Sequence, residues 1–409
     1  MSNNQFVIVS HTKELDSYKA AQFIVQETLP KIHEKNPKLA ILFYSVHHDA
    51  QKIVKIISDA FNEIDIVGGT SPGYITNDTL EVDQPYVSLA VLIGDDFDVD
   101  TFYSTQIKNR EFEAGLELGE HAKSSKKQQH GILFYDSVKQ SVSEGAPSLN
   151  MATPLISGIS QSGLGNMNLA GIGVLADPNL QKPASIVCEG NTIRNGASLS
   201  IFSGDVQLDT ITLHGCSPES GYYTVTKAEG PVIIEIENKP AIEFIKEVLG
   251  EASTLEPKDY PLFLTLGVNH GDLFDDYNPN MYANRLCLAV DESVGALIMF
   301  EPDLIAGTKI QIMQRNLNFS YISIQINAMK EQLRDREIVF ALYLDCIGRW
   351  SRFCGSEEEE GHFVQEAIGR DIPLFGVYSG VEISKVGNGL QALDWTGVLS
   401  LFSIPRKAI

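Results

Sequence analysis

Three stretches of this chain place reactive or small polar residues at the end of an apolar run. Asp345-Cys346-Ile347-Gly348-Arg349 sets a thiol and a guanidinium directly after Phe340–Leu344. A guanidinium at a strand end can grip a carboxylate through two parallel hydrogen bonds. Glu382, in Tyr378-Ser379-Gly380-Val381-Glu382, could hold an ammonium group, so Arg349 and Glu382 together would suit a zwitterion. A purely structural Arg–Glu pair explains the same two residues equally well. Cys346 would serve as a nucleophile only with a base and positive charge beside it to lower its pKa. His362 is the nearest histidine in sequence, no Cys–His–Asn pattern accompanies it, and an inert packed thiol is the simpler reading.

Gly68-Gly69-Thr70-Ser71-Pro72-Gly73 resembles a phosphate cradle but lacks the lysine and the spacing of one. Its backbone N–H groups and hydroxyls are suited instead to lining a pocket at the carboxyl end of strands. Gly158–Ser160 and Gly376–Ser379 are its counterparts further along. The ligand-binding candidates are therefore Gly69, Thr70, Ser71, Gly158, Ser160, Cys346, Arg349, Tyr378, Ser379 and Glu382. The adjacent His47 and His48 point to opposite sides of an extended chain and cannot easily share a metal. With no nucleophile–base pair and no metal-ligand spacing, the chain is expected to bind without catalysing.

The elements that must carry these residues occur three times. Apolar strands recur as LAILFYS (39–45), GILFYDS (131–137) and FALYLDC (340–346). Each is followed by a glycine-broken segment read as a strand: DIVGGTSPGYI (65–75), PLISGISQSG (154–163) and PLFGVYSGVEI (373–383). A third strand closes each copy, at 86–94, 197–204 and 396–403. Such repetition implies related α/β units that bury their faces against one another, with Gly69, Gly158 and Gly376 bordering a shared cavity. The fold class is α/β, built of βαβ-type units with additional antiparallel strands.

Helices fill the gaps. Residues 50–62 carry Ile53, Ile56, Ile57, Ala60 and Phe61 on one face, capped by Asp49. An N-terminal helix is read from Ala20, Phe23 and Ile24. Ser356 and Glu359 form a capping-box pattern before Phe363, Val364, Ala367 and Ile368, making the run Glu357–Glu360 a helix start. Pro240 opens a helix that Gly250 can end, and Ile322, Ile326, Met329 and Leu333 share another face. Residues 251–261 read as a linker. The expected division is a strand–helix extension over 1–37, one domain over 38–255 and a second over 256–409.

Lysine and arginine number 31 against 53 acidic residues in 409, a net charge of −22. That balance argues against nucleic acid or an anionic membrane as partner, since both require a cationic footprint. No apolar run approaches the roughly 20 residues that span a bilayer, and the N-terminus shows no signal-peptide pattern. Five dispersed cysteines without a C-x-x-C pair suggest reduced thiols. A soluble, cytoplasmic protein is expected.

Taken in order, VGGTSPGYI (67–75), ISGISQSG (156–163), HGCSPESGYYTVTKAEG (214–230), IEIENKPAIEFI (234–245), YPLFLTLG (260–267), residues 284–315, LDCIGR (344–349) and PLFGVYSGVEI (373–383) resemble the FIST family, with its N-terminal and C-terminal domains. The likeness covers residues 38 to 404. Two segments depart from it: Val381 precedes Glu382 where the family usually has glycine, and Leu393-Asp394-Trp395-Thr396 stands where His-Asn-x-Thr is usual. The resemblance implies a small-ligand sensor in signal transduction, for ligands such as amino acids. No kinase, cyclase or receiver segment is read here, so a signalling partner such as a histidine kinase would be a separate protein. Some family members are haem proteins that sense nitric oxide. In such a reading His214, the histidine within a family motif, would ligate a noncovalent haem. A cysteine-dependent enzyme built on Cys346 is the remaining alternative.

Overall fold

The computed structural model describes residues 6–32, 35–61, 64–124, 130–250 and 256–406. Residues 1–5, where the signal-peptide pattern was sought, and 251–255 of the expected linker lie outside these. The first unit runs β1 (Val7–Thr12), α1 (Ser17–Ile32), β2 (Pro37–Tyr44), α2 (Ala50–Ala60), β3 (Asp65–Thr70), a hairpin of β4 (Gly73–Thr76) and β5 (Leu80–Val82), and β6 (Val87–Ile93). The second repeats the order: β7 (Phe97–Ser104), α3 (Glu111–Ala122), β8 (His130–Asp136), the short β9 (Val138–Gln140) and β10 (Ser148–Leu149), α4 (Ala152–Ile159), β11 (Asn168–Val174), the hairpin β12 (Ile186–Cys188) and β13 (Asn191–Ile193), and β14 (Ala197–Gly204).

The third unit opens with β15 (Gln207–Leu213) and is then interrupted by a lobe. The lobe comprises β16 (Cys216–Pro218), β17 (Tyr223–Glu229), β18 (Val232–Ile236), β19 (Lys239–Pro240), α5 (Ala241–Leu249), α6 (Tyr260–Phe263), β20 (Thr265–Asn269), β21 (Tyr282–Asp291), β22 (Ala296–Met299) and β23 (Lys309–Arg315). The unit resumes with α7 (Ser320–Gln332), β24 (Arg336–Cys346), α8 (Ser351–Cys354), α9 (Glu360–Ile368), β25 (Leu374–Ser379), the hairpin β26 (Val381–Val386) and β27 (Gly389–Leu393), and β28 (Gly397–Pro405). Strands from both sides of the expected 250–260 boundary lie in the lobe's single sheet.

Each unit forms a sheet in which two parallel strands, β2–β3, β8–β11 or β24–β25, are joined by a helical crossover. The hairpin that follows the second parallel strand does not stay at home. β4 pairs with β25 of the third unit, β12 with β3 of the first and β26 with β11 of the second, all antiparallel. The exchange closes a ring. At each joint an isoleucine faces a glycine: Ile75 opposite Gly376, Ile186 opposite Gly69, Ile383 opposite Gly171. A Cβ on Gly376 would lie 2.7 Å from the Tyr343 carbonyl oxygen, so the close strand approach requires glycine there.

Inner faces of the three sheets meet in one core. Phe43 of the first unit lies 5.4 Å from Phe134 of the second and 6.3 Å from Phe375 of the third, ring centre to ring centre. Each such buried ring contributes about 1.5–3 kcal/mol. Outer faces are covered by α1 and α2, by α3 and α4, and by α7 and α9. Asp49 caps α2 as its position suggests, accepting from Lys52 N at 3.1 Å. Ile322, Ile326, Met329 and Leu333 are all buried beneath α7. Phe23 of α1 points outward instead, with Ala20, Ala21 and Ile24 making the inner face. The third-unit crossover starts later than Ser356 implies: Glu359 is its cap residue and Glu360 is buried.

The largest departure is at 154–163. These residues form α4 and the turn after it, and the second parallel strand is β11, whose Gly171 takes the place expected of Gly158. Alternating small and apolar residues there are a helix interface. A Cβ on Gly158 would come 2.1 Å from the Phe112 carbonyl oxygen, and one on Gly115 would come 1.9 Å from that of Leu155. The two glycines thus let α3 and α4 touch backbone to backbone. Gly158→Ala should therefore lower stability by about 1–3 kcal/mol through overpacking, measurable as a lower urea midpoint. An unchanged midpoint would mean the helices separate freely.

Candidate functional site

A cavity of about 310 Å³ opens where the second unit, the third unit and the lobe meet. Its floor is the ends of β8 and β24, with Ser137, Cys346, Ile347 and Gly348. Gly380 and Val381 come from the exchange turn before β26, and Asp394 and Trp395 from the end of β27. The lobe supplies Leu286, Phe300, Glu301 and Arg315 as the opposite wall. Leu149, Leu175, Leu180 and Phe353 complete a largely apolar lining, the usual character of a small-molecule site.

Few polar groups break that lining, and each is held. The Glu301 carboxylate accepts from the backbone N–H of Ala152 at 2.9 Å and of Thr153 at 2.8 Å, the first amides of α4. Burial lifts its pKa to about 7. Asp394 accepts from Leu286 N at 2.9 Å, and burial lifts it to about 6. Arg315 lies flat on Trp395, its guanidinium carbon 3.8 Å from the ring centre, while Nε donates to Thr265 Oγ1 at 2.8 Å. Burial lowers its pKa to about 10. Trp395 itself adopts φ of 53°, a left-handed conformation that costs a bulky residue about 1–3 kcal/mol.

Behind the cavity lies a dry ionic network centred on Arg349. Its Nη2 bonds Glu360 Oε2 and donates to Tyr321 Oη at 2.7 Å; Nη1 donates to the carbonyls of His214 at 3.0 Å and Trp395 at 3.1 Å. Nε stands 3.6 Å from Asp345 Oδ1. Arg349 is 3% exposed and does not line the cavity. Its fork is engaged within the protein, and its carboxylate partner is Glu360, not Glu382. The acidic run Glu357–Glu360 therefore supplies the buried counter-ion. Glu382 is buried beside Ser379, with Oε1 2.7 Å from Ser379 Oγ, and burial pushes its pKa well up. Ser379 Oγ donates to Glu382 Oε1 and also lies 3.0 Å from the Asp345 carbonyl oxygen.

Of the expected ligand residues, Cys346 alone lines the cavity. Burial drives its thiol pKa well up, and His362 bonds Gln365 at 2.9 Å rather than serving as its base. Gly69, Thr70 and Ser71 are inter-unit joints: Thr70 N donates to Ser185 O at 2.9 Å, and Ser71 Oγ reaches Tyr378 O at 2.8 Å. Tyr74 and Tyr86, stacked at 4.6 Å, fill the neighbouring space. Tyr378 and Ser379 are buried at the end of β25. Gly158 and Ser160 lie in and just after α4, away from the cavity wall. His214, the expected haem ligand, has both ring nitrogens engaged within the protein: Nδ1 accepts from Cys216 N at 3.0 Å and Nε2 lies 3.0 Å from the Pro279 oxygen. Burial keeps the ring neutral, with a pKa near about 4. Among the described residues no cluster of three or more His, Cys, Asp or Glu side chains could hold a metal ion.

Sequence reasoning did not find Glu301, Arg315, Asp394 or Trp395. Asp394 and Trp395 fall in the segment that departs from the usual His-Asn-x-Thr, which was a usable signal. Glu301, an isolated acid after Leu297–Phe300, carried none, because its partners are about 150 residues away.

The family model of the FIST N domain matches residues 38–239 and that of the FIST C domain residues 241–385. The chain belongs to the FIST family. Similar proteins include MJ1623 of Methanocaldococcus jannaschii, 25% identical over 40% of this chain and 32% of that protein. Mb0898c of Mycobacterium bovis is 23% identical over 47% of this chain and 50% of its own length. Rv0628c of Mycobacterium tuberculosis is 25% identical with the same coverage, so the chain spans about half or less of the length of these curated relatives. Against solved structures, T. maritima PurL complexed with FGAR aligns over 98% of this chain and 74% of its own at 8% identity, with a TM-score of 0.21 that carries no argument. No helix among the described residues is long and apolar enough to cross a membrane.

Two outcomes follow from the buried charges. Arg349→Ala leaves Glu360 and Asp345 without their cation and should destabilise the fold by about 3–5 kcal/mol, read by urea denaturation. Asp345, whose pKa burial raises to about 7 from 3.8, binds a proton in the native state that the unfolded chain has released. Its stabilising share is full below the unfolded value and lost as pH rises through about 7. The urea midpoint should therefore be higher at pH 6 than at pH 8, and Asp345→Asn should narrow that gap.

Proposed function

We propose that this chain is a cytoplasmic sensor that holds an amino-acid-like metabolite in the 310 Å³ cavity and passes its occupancy to a separate signalling protein such as a histidine kinase. The observation that carries this reading is the seam cavity itself: apolar, fitted with one cation and two carboxyls, and bordered by a strained tryptophan. Arg315 offers charge complementarity to a carboxylate, and Asp394 to an ammonium group. Family membership supports the sensing role. Binding without turnover is the accompanying reading: the one cavity thiol, Cys346, is buried with its pKa raised and has no base. His214 gives a haem-based reading no support, because both of its ring nitrogens are taken.

Gly348 allows a direct test. It lines the cavity, and a Cβ there would meet nothing nearer than 3.7 Å, so a larger residue can be built into the void. Thermal unfolding with a panel of amino acids at about 100 times Kd should show stabilisation of about 2.7 kcal/mol for the ligand that fits. Gly348→Phe should keep the unliganded melting temperature and abolish the rise. No rise with any amino acid, or one that survives Gly348→Phe, would move the ligand elsewhere. A separate check is alkylation: iodoacetamide should label Cys346 no faster at pH 7 than a buried control such as Cys287.

A further inference from the structure

The chain passes between the body and the lobe at a single place. The chain enters it at Gly215 and leaves it at Asn316, and these residues touch, Asn316 N donating to Gly215 O at 2.8 Å. The first strand of the lobe pairs with its last, Cys216 opposite Arg315. Gly215 has φ of 59°, a conformation in which glycine is the unstrained choice. The lobe also has its own hydrophobic core, with Val225, Ile236, Ile245, Leu266 and Leu297. Against the body it packs a patch of Cys216, Tyr282, Met313 and Trp395, flanked by Leu286 and Cys354, and Ala283 of β21 reaches the body core. A two-strand tether and a separate core are features of a unit that moves as a rigid body.

Polar contacts close the seam around the cavity. Glu301 reaches from the lobe to the first amides of α4, Asp394 reaches from the body to Leu286 N, and Arg285 Nη1 donates across to Ala392 O at 2.7 Å. Two of these residues, Glu301 and Asp394, are themselves cavity lining.

We propose that residues 216–315 form a hinged clamp, pivoting at Gly215 and Asn316, whose Glu301 latch on α4 closes the cavity. It rests on the reading of the cavity as the ligand site, for which it supplies the moving part. Closure buries the ligand between the lobe and the body, and opening separates the Leu286–Arg315 wall from the Cys346–Gly348 floor. The lobe's outer surface is then what differs between the occupied and empty states.

Hydrogen exchange on the full chain without any ligand tests the clamp independently of the cavity's occupant. In Glu301→Ala, the amides of Ala152 and Thr153 should exchange faster. The clamp also requires Leu286 N–H and Asn316 N–H, held by other partners, to accelerate at least tenfold, while β8, β24 and the lobe strand β18 keep their protection. Acceleration confined to Ala152 and Thr153 would make Glu301 a local helix cap and overturn the clamp. Global acceleration would overturn it too. A second measurement uses the isosteric Glu301→Gln, with spin labels at the exposed positions Val294 and Ile324, on the lobe and on α7. A second, longer distance population in the variant supports the clamp, and a distribution unchanged from the wild type overturns it. Failure of the amino-acid panel with this result positive would remove the ligand reading and leave the hinge.

Discussion

The structure depends on the exchange of strands around three sheets. Each unit leaves the edge of its second parallel strand open, and an edge of unpaired N–H and C=O groups must be covered. The hairpin of a neighbour does so in every case, which makes each unit incomplete alone. A Cβ on Gly69 would meet the incoming Ser185 carbonyl oxygen at 2.3 Å, and one on Gly171 or Gly376 would meet the parallel strand of its own unit at 2.7 Å, so all three positions on the joined strands take glycine. Once the ring is closed, the inner faces have nowhere to go but against one another, and the phenylalanine core follows.

Repetition of the units did not produce repetition of the site. The joint between the first and third units is filled by Tyr74, Tyr86 and the Ser71 contact, and the joint between the first and second by Thr70 and Ser185. The remaining joint, between the second and third units, is the one against which the lobe is seated. There the turn between β25 and β26 meets a wall of lobe residues and leaves a void. An insertion into one copy of a symmetric arrangement has thus made one of three similar places different.

Charge burial behind that void sets its character. Arg349, Glu360, Asp345 and Glu382 are nearly free of solvent, and the network is held by neutralisation in two ways: an ion pair for Glu360, raised protonation for Asp345 and Glu382. Arg349 binds the carbonyls of both His214 and Trp395, so the same guanidinium fixes the entry to the lobe and the strained cavity residue. Stability and site geometry share one residue here.

Much of the architecture was written in local pattern. The strands at 39–45, 131–137 and 340–346, the crossover over 50–60 and the α7 face follow from hydrophobic period and capping, which depend on neighbours a few residues away. The same logic misread 154–163, because glycines and small apolar residues serve a backbone-to-backbone helix contact as well as a strand end, and only Phe112 and Leu155 distinguish them. The site was less legible. Residue type alone identified Arg349 and Glu382 as charges worth placing, but whether a guanidinium meets a ligand or a buried glutamate depends on which side of the strand the void lies. Glu301, Arg315, Asp394 and Trp395 come together from segments about 80 to 95 residues apart, through the cyclic strand exchange and the seating of the lobe. Sequence determined the elements, whose causes are short-range; tertiary structure decided the cavity, because a cavity is the space that distant segments leave between them.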